Sequence, residues 1–526
     1  MASKKIAAAI FFLALAVRVL NAPAILGGRM PRLTPLDDLY HWKRIEFSAA
    51  HFPRVLEFDP DRGEHGAFCP WPPLYDLACG AIARVFGMPA VVWIPPVAGA
   101  MCAALAALVI ARWFGWMAGA AAGVALAVSP FIVTESSVGD IDHHWLEWPL
   151  VFAILFSVAA ALRRPDRLKP VLTLALATTL AVFIQVALLP ACGLAFLALF
   201  ASGERRAASA FAIVAVVIAI FRLTRPPGYP DSPWFLGWPH VVLFAAAAIA
   251  LLLRKWPVVA VIAGAAIPLA ALRSLLAGLH FFGGDPWLST ISEFQPVWKG
   301  NFQDWLSHAA GFSIGAILVS DLARRAINHH RDMEHKETCP LCLCGDKTAA
   351  AIALFAIVYL PLAITSRRFE ATSIPLLTLA AAADAAMILR RNAAMFAAAA
   401  IAVVPAVQLA IWMSHPLPPI APNQQAWIRA AACLRNLPPG RVLAPWPLGH
   451  CLDVLGRHAV VIDNFGTMPD PAVFWRATAA LQSADPAAYC ARAGVRYVVR
   501  PDSPGAEFRL VNTTGLDIWE FTDGAR

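Results

Sequence analysis

The chain has 526 residues, of which 59% are hydrophobic and only 14% charged, and its mean hydropathy is +0.63. Soluble domains carry about 25% charged residues, so this composition excludes an ordinary soluble enzyme and describes a polytopic α-helical membrane protein. The net charge of +8 does not point to nucleic acid, because Lys and Arg fall in short clusters between apolar runs. Clusters of that kind orient membrane spans.

Met1-Ala2-Ser3-Lys4-Lys5 and the apolar run to Leu20 have the layout of a signal peptide. The spans that follow alternate in register with this run, which fits an uncleaved first span. A span needs about 20 apolar residues, and about thirteen candidates follow: 5–20, 90–111, 114–134, 146–162, 169–188, 190–202, 207–222, 238–253, 256–278, 307–322, 349–365, 371–389 and 393–413. If these alternate, Lys4, Lys5, Arg112, Arg163, Arg164, Arg167, Lys169, Arg205, Arg206, Arg254, Lys255, Arg324, Arg325, Arg390 and Arg391 share the cytosolic side. The outer side then receives 21–89, 135–145, 223–237, 279–306, 366–370 and everything after 413, so 21–89 and 279–306 are the large outer loops of a transmembrane domain, 1–413. Arg222, Arg225, Arg367 and Arg368 defy this bias, and an anionic ligand is one reason for an arginine to do so. The tail, 414–526, is Pro-rich and carries strand-like runs at 459–462 and 495–499. It reads as a small extracytoplasmic mixed α/β domain. Cys102 and Cys192 fall in apolar spans as packing residues. Cys69, Cys433, Cys451 and Cys490 fall outside the cytosol, where a disulfide among the last three is open.

Ionisable groups beside a bilayer are costly, and chains that keep them use them. Gly139-Asp140-Ile141-Asp142-His143-His144, followed by Glu147, concentrates carboxylates and imidazoles between two apolar spans. The acidic pair Asp37 and Asp38 follows the first span, and Glu293 lies in Ser289-Thr290-Ile291-Ser292-Glu293. The topology puts all three groups outside. Carboxylates suit Mg²⁺ and Mn²⁺, and Mn²⁺ also accepts imidazole. Such an ion neutralises a pyrophosphate leaving group. Arg367 and Arg368 can bind the same phosphates in a fork geometry. Each group also has a plain structural reading: a helix start for Asp37 and Asp38, a solvated turn for 140–144, an exposed loop acid for Glu293.

These motifs resemble those of oligosaccharyltransferase catalytic subunits, particularly the single-subunit archaeal and bacterial enzymes. Asp37-Asp38-Leu39-Tyr40-His41-Trp42-Lys43-Arg44 is similar to the family's first acidic motif, with Asp37 at the metal position. Phe58-Asp59-Pro60 and Trp71-Pro72-Pro73-Leu74-Tyr75-Asp76 resemble the first-loop signature. Gly139 to Glu147 resembles the archaeal second acidic motif, Thr290-Ile291-Ser292-Glu293 the glutamate motif of the large outer loop, and Arg368-Phe369 the Arg-Phe after the eleventh span. The resemblance implies a GT-C membrane fold of about 13 helices in the plasma (inner) membrane, with the active site on the extracytoplasmic face. It implies an inverting glycosyltransferase that moves a glycan from a polyprenyl-pyrophosphate carrier to asparagine of proteins. It implies Asp37, Asp142, His144 and Glu293 as ligands of Mn²⁺ or Mg²⁺, with Glu293 also touching the acceptor. Arg368 would bind the donor phosphates. Asp38, Asp140, His143, Arg367 and His450 are neighbouring alternatives.

One departure stands out. The family's tail carries Trp-Trp-Asp-Tyr-Gly, which reads the acceptor hydroxyl. Here the matching stretch is Pro445-Trp446-Pro447-Leu448-Gly449-His450, so Trp446 and Gly449 remain and Pro447 replaces the acid. Losing a hydrogen-bonding group relaxes selection, so the acceptor is either a sequon, a different protein motif, or a non-protein lipid or surface polysaccharide; Trp446 is equally readable as a core residue. In the cytosolic loop, Cys339, Cys342 and Cys344, near His329, His330 and His335, have the spacing of a structural zinc site. The other reading there is a basic loop with reduced thiols. A transporter is disfavoured: its ionisable groups sit mid-span and its halves repeat, whereas here the acids cluster at span ends and no repeat is visible.

Overall fold

In the computed structural model the described residues are 2–28, 31–34, 36–232, 234–255, 287–291, 294–299, 347–388, 391–414, 422–468, 470–513 and 516–522. Glu293, the Cys339, Cys342 and Cys344 group, and the candidate spans 256–278 and 307–322 lie outside them. The chain divides into two compact units. One comprises 1–20, 95–137 and 143–415; the other comprises 21–94, 138–142 and 416–526. A single cut at 413 does not describe this division. The segment 21–94 groups with the tail because charged side chains bind across long separations: Lys43 holds Asp453, Arg62 holds Asp463, and Arg441 donates to the Glu64 carbonyl.

The first unit is helical. Ala- and Leu-rich runs form helices, and Gly or Pro punctuates them. Helices run over Ala2–Arg18, Ile94–Phe114, Trp116–Val128, Glu147–Arg163, Leu168–Ile184, Leu189–Ser202, Ala208–Leu223, Trp238–Leu252, Lys347–Thr365, Glu370–Ile388 and Arg391–Ser414. Among the described residues, three stretches are long and apolar enough to cross a membrane: Met88–Phe114, His143–Arg163 and Arg205–Leu223. The candidate 114–134 is not one helix. It breaks at Ser129, and Pro130 opens a short second helix, Pro130–Thr134. Arg18 sits at that break, fully buried, donating to the Leu126 and Ala127 carbonyls and to Ser136 Oγ. It thereby satisfies carbonyls that the helix end leaves without an intrahelical donor. Arg222, one of the arginines that defy the charge bias, has a protein carboxylate as partner, Asp231 at 3.1 Å. Arg225 lies over the Phe221 ring. The anionic ligand expected for Arg222 is therefore a side chain of the same unit.

The second unit holds the helices Asp37–His51 and Leu74–Phe86, packed against each other, together with every strand found among the described residues. Strands β1 (Phe58–Asp59) and β2 (Ala67–Phe68) form a small antiparallel hairpin. In the tail, β3 (Arg441–Leu443), β4 (Val495–Val499), β5 (Phe508–Thr513) and β6 (Asp517–Phe521) form one sheet of order β3-β4-β6-β5. The β3–β4 pair is parallel, and the helices between them in sequence, Pro471–Gln482 and Ala487–Ala493 among them, supply the crossover that parallel pairing requires. The run 459–462 makes no strand of its own; Val460 only bridges Arg62 and Val442. Cys69, Cys433, Cys451 and Cys490 are free thiols, so no disulfide joins the last three.

Candidate functional site

The helix Asp37–His51 puts Asp37, Tyr40, His41 and Arg44 on one face, at the spacing of neighbours on a helix surface. Asp37 is the partly exposed acid of the pair. Asp38 is buried, and its Oδ1 accepts from the amides of Ile141 and Asp142 at 2.8 and 2.9 Å. It therefore clamps the second acidic loop to the start of this helix. Gly139 lets the loop bend: its φ is +89°, and a Cβ there would press on Ile25. Burial and the neighbouring Asp142 charge push the Asp38 carboxyl up to about 7.

His41 joins the two acidic segments. Its Nδ1 lies 2.6 Å from Asp76 Oδ1 and its Nε2 3.4 Å from Asp142 Oδ1, while Arg44 takes the other Asp76 oxygen at 2.6 Å. Burial opposes the imidazolium, but the two carboxylates overcome it and raise the His41 pKa to about 10. Lys43, on the next face, meets Asp59, Asp61 and Asp453 at 2.9, 3.1 and 2.9 Å. After β3, Trp446–Leu448 forms a single 3-10 turn, with Trp446 half-buried, and the helix Gly449–Val454 follows. Gly449 is required by close approach, since a Cβ would collide with the Asp463 backbone. Next to it His450 is fully buried. Its Nε2 lies 3.5 Å from Asp37 Oδ1, and its ring stacks on Tyr40. Burial pushes its pKa down to about 3.

In the helical unit, His143–Leu146 makes a 3-10 turn into the helix Glu147–Arg163. His143 is buried with its Nε2 2.7 Å from Gln185 Nε2, a contact that turns it toward the helix packing. His144 Nδ1 lies 3.0 Å from Glu147 Oε1. Arg368, in the turn Arg367–Phe369, reaches both: Nη2 is 2.5 Å from Glu147 Oε1 and Nη1 3.0 Å from His144 Nε2. A donor at Nε2 makes that nitrogen the acceptor, so the ring proton is on Nδ1, toward Glu147. His144, Arg367 and Arg368 line a cavity of about 120 Å³ together with Phe131, Glu135, Glu370 and Ala371.

The described chain superposes on archaeal oligosaccharyltransferase AglB from Archaeoglobus fulgidus, in complex with an inhibitory peptide and a dolichol-phosphate, with a TM-score of 0.76. Its fold is that of an oligosaccharyltransferase. The match covers 94% of this chain and 69% of that one at 16% identity. The A. fulgidus enzyme tethered to an acceptor peptide containing the NVT sequon matches at a TM-score of 0.70 and 16% identity, over 94% and 68% of the two chains. Its complex with Zn and sulfate matches at 0.68 and 16% identity, over 94% and 67%. No family model matches the chain, and no curated protein sequence matches it. The GT-C expectation is therefore met as a fold.

Of the expected site residues, Asp37, Asp38, Asp140, Asp142, Trp446 and His450 lie in the strand-bearing unit, and His143, His144, Arg367 and Arg368 in the helical unit. Sequence reading left out His41, Asp76 and Lys43 as organisers of these acids. The Asp37–His41 spacing of four on one helix was the available signal for His41. Asp76 and Lys43 carry no local signal, because their partners come from elsewhere in the chain.

Proposed function

We propose that this chain is a membrane oligosaccharyltransferase-like glycosyltransferase that takes a glycan from a polyprenyl-pyrophosphate carrier. The reading is carried by one observation: Asp38 fastens the amides of Ile141 and Asp142 to the helix that Asp37 begins, so two sequence-distant acidic motifs are built into one unit. A plain N-cap or a solvated turn needs no such fastening. The A. fulgidus structures that share this fold include complexes with a dolichol-phosphate, with an acceptor peptide, and with Zn and sulfate.

The ligand set proposed for a divalent cation, Mn²⁺ or Mg²⁺, is Asp37, Asp142, His144 and Glu293. Carboxylates with an imidazole suit these ions, and His144 would join the set through Nε2, the nitrogen that accepts from Arg368 here, once Arg368 turns to the donor phosphate. When bound, the cation would neutralise charge on the departing pyrophosphate. The protein's own residues do the rest. Asp38 and His41 hold Asp142 in place, and Glu147 orients His144. Arg368, kept in a fork between Glu147 and His144, is positioned to pair with donor phosphate in the adjoining cavity. The acceptor nucleophile attacks the anomeric carbon, the polyprenyl pyrophosphate leaves from the opposite face, and configuration inverts. Catalysis falls on the extracytoplasmic face of the plasma membrane, the side assigned by the Lys/Arg bias.

The acceptor class follows from the turn Trp446–Leu448. Pro447 occupies the place of the family's acid and offers no side-chain acceptor or backbone donor. This favours a second reading, with the same donor chemistry and a non-sequon or non-protein acceptor. Peptides with Asn-x-Thr and Asn-x-Ala, offered separately with a lipid-linked glycan, test both. Strong preference for Asn-x-Thr supports a sequon enzyme. Equal use supports relaxed reading, and transfer to neither peptide with donor still consumed supports a lipid or polysaccharide acceptor. A donor left intact with every acceptor refutes the transferase reading.

A further inference from the structure

Among the described residues of the tail, His450 is the buried imidazole that faces an acid of the candidate site without a hydrogen-bond partner of its own. Neither ring nitrogen makes a hydrogen bond, although the side chain is fully buried. Buried polar groups without partners cost about 1–3 kcal/mol, so a residue kept this way calls for a reason. Its surroundings fix the ring. Tyr40 stacks on it at 5.0 Å, Phe465 meets it edge-on at 4.9 Å, and Gly449 brings its helix against the Asp463 backbone. The two nitrogens face two carboxylates. Nδ1 is 3.9 Å from Asp463 Oδ2, beyond hydrogen-bond range, and Asp463 is already supplied by Arg62 and by the Phe465 amide. Nε2 is 3.5 Å from Asp37 Oδ1, and Asp37 is a partly exposed residue at a helix start, where a shift of a few tenths of an ångström closes the bond.

We propose that His450 is a positioning residue for Asp37: its Nε2–H donates to Asp37 Oδ1 and fixes the carboxylate for cation binding. This rests on the reading of Asp37 as a ligand. Carboxylate ligands are held by such outer hydrogen bonds, and removing one costs 10- to 100-fold in metal affinity. It also gives the tail a task at the acidic site that is separate from reading an acceptor hydroxyl.

The test is Mn²⁺ binding to the full-length protein in detergent, followed by loss of the free-ion EPR signal, with melting temperature recorded beside it. His450→Phe keeps the stack on Tyr40 and removes the donor. His450→Asn places its amide where Nδ1 was, away from Asp37. His450→Gln places an N–H where Nε2 was. The expected result is a Kd for Mn²⁺ raised about 10- to 100-fold in Phe and Asn and left near wild type in Gln. If Phe does not fold, the Asn and Gln pair carries the comparison. Unchanged binding in Phe and Asn, with binding abolished by Asp37→Asn, overturns this inference alone. Gln as weak as Phe also overturns it, since the ring and not the donor would then matter. A wild-type chain that binds no Mn²⁺ overturns the cation reading and this inference with it.

Discussion

Lys43→Met puts the architecture of the strand-bearing unit to a quantitative test. One ammonium contacts Asp59, Asp61 and Asp453, each at 2.9–3.1 Å. No two of these oxygens can therefore be more than about 6 Å apart, where two unit charges at an effective dielectric near 20 repel by about 3 kcal/mol. Asp61 is half exposed, so solvent screens its share; Asp59 and Asp453 are buried and carry the cost. Removing one partner of a buried pair destabilises by about 3–5 kcal/mol, and that is the expected loss at pH 7. Without Lys43 the Asp453 carboxyl is pushed up further in the folded state, which then binds more protons than the unfolded one. The loss grows as pH rises through neutrality, where the Asp453 carboxyl ionises, and shrinks as pH falls toward the ordinary carboxylate range. Asp453 is already raised to about 7 in the native protein, by burial and by Asp59, against the pull of Lys43. Asp453→Asn in the Lys43→Met background should accordingly recover part of the loss. Thermal melts of the purified protein from pH 5 to 8 read all of this. A Lys43→Met melt equal to wild type at pH 7, or a deficit that grows on acidification, would refute the reasoning.

Arg368→Lys keeps the charge and loses the fork to Glu147 and His144. It should raise KM for the lipid-linked donor by about 10- to 100-fold, the worth of a charged hydrogen bond, and leave KM for the acceptor unchanged; an equal change in both would assign Arg368 a general structural role. Gly449→Ala drives a methyl into the Asp463 backbone and should cost about 1–3 kcal/mol in thermal melts, whereas an unchanged melt would show that the 462–463 segment yields freely.

Much of the fold was legible because apolar length and Lys/Arg placement are local properties. The helices Ile94–Phe114, Glu147–Arg163 and Ala208–Leu223 lie close to where hydropathy put them, and β4 coincides with the run 495–499. The break at Ser129 was not legible. Its buried carbonyls, left without intrahelical donors, are tolerated because Arg18, more than a hundred residues earlier, caps them. The grouping of 21–94 with the tail was likewise hidden, since Lys43 and Asp453 are 410 residues apart and their pairing leaves no local pattern. The candidate acids were legible as motifs, but their division of labour was not. Asp37 and Asp38 are adjacent and chemically identical in sequence; only helix phase exposes one and turns the other toward the amides of 141 and 142. His450 stood out weakly for the same reason, because its neighbour Asp37 is brought to it by the tail's close packing at Gly449.

The most direct measurement is cation-dependent release of polyprenyl pyrophosphate from a lipid-linked glycan, with purified wild type and Asp142→Ala side by side. Glycan transfer by wild type with Mn²⁺, stopped by chelation and absent in Asp142→Ala, is the expected result. Undiminished turnover in the variant would contradict a cation-assisted transferase centred on residues 37 and 142.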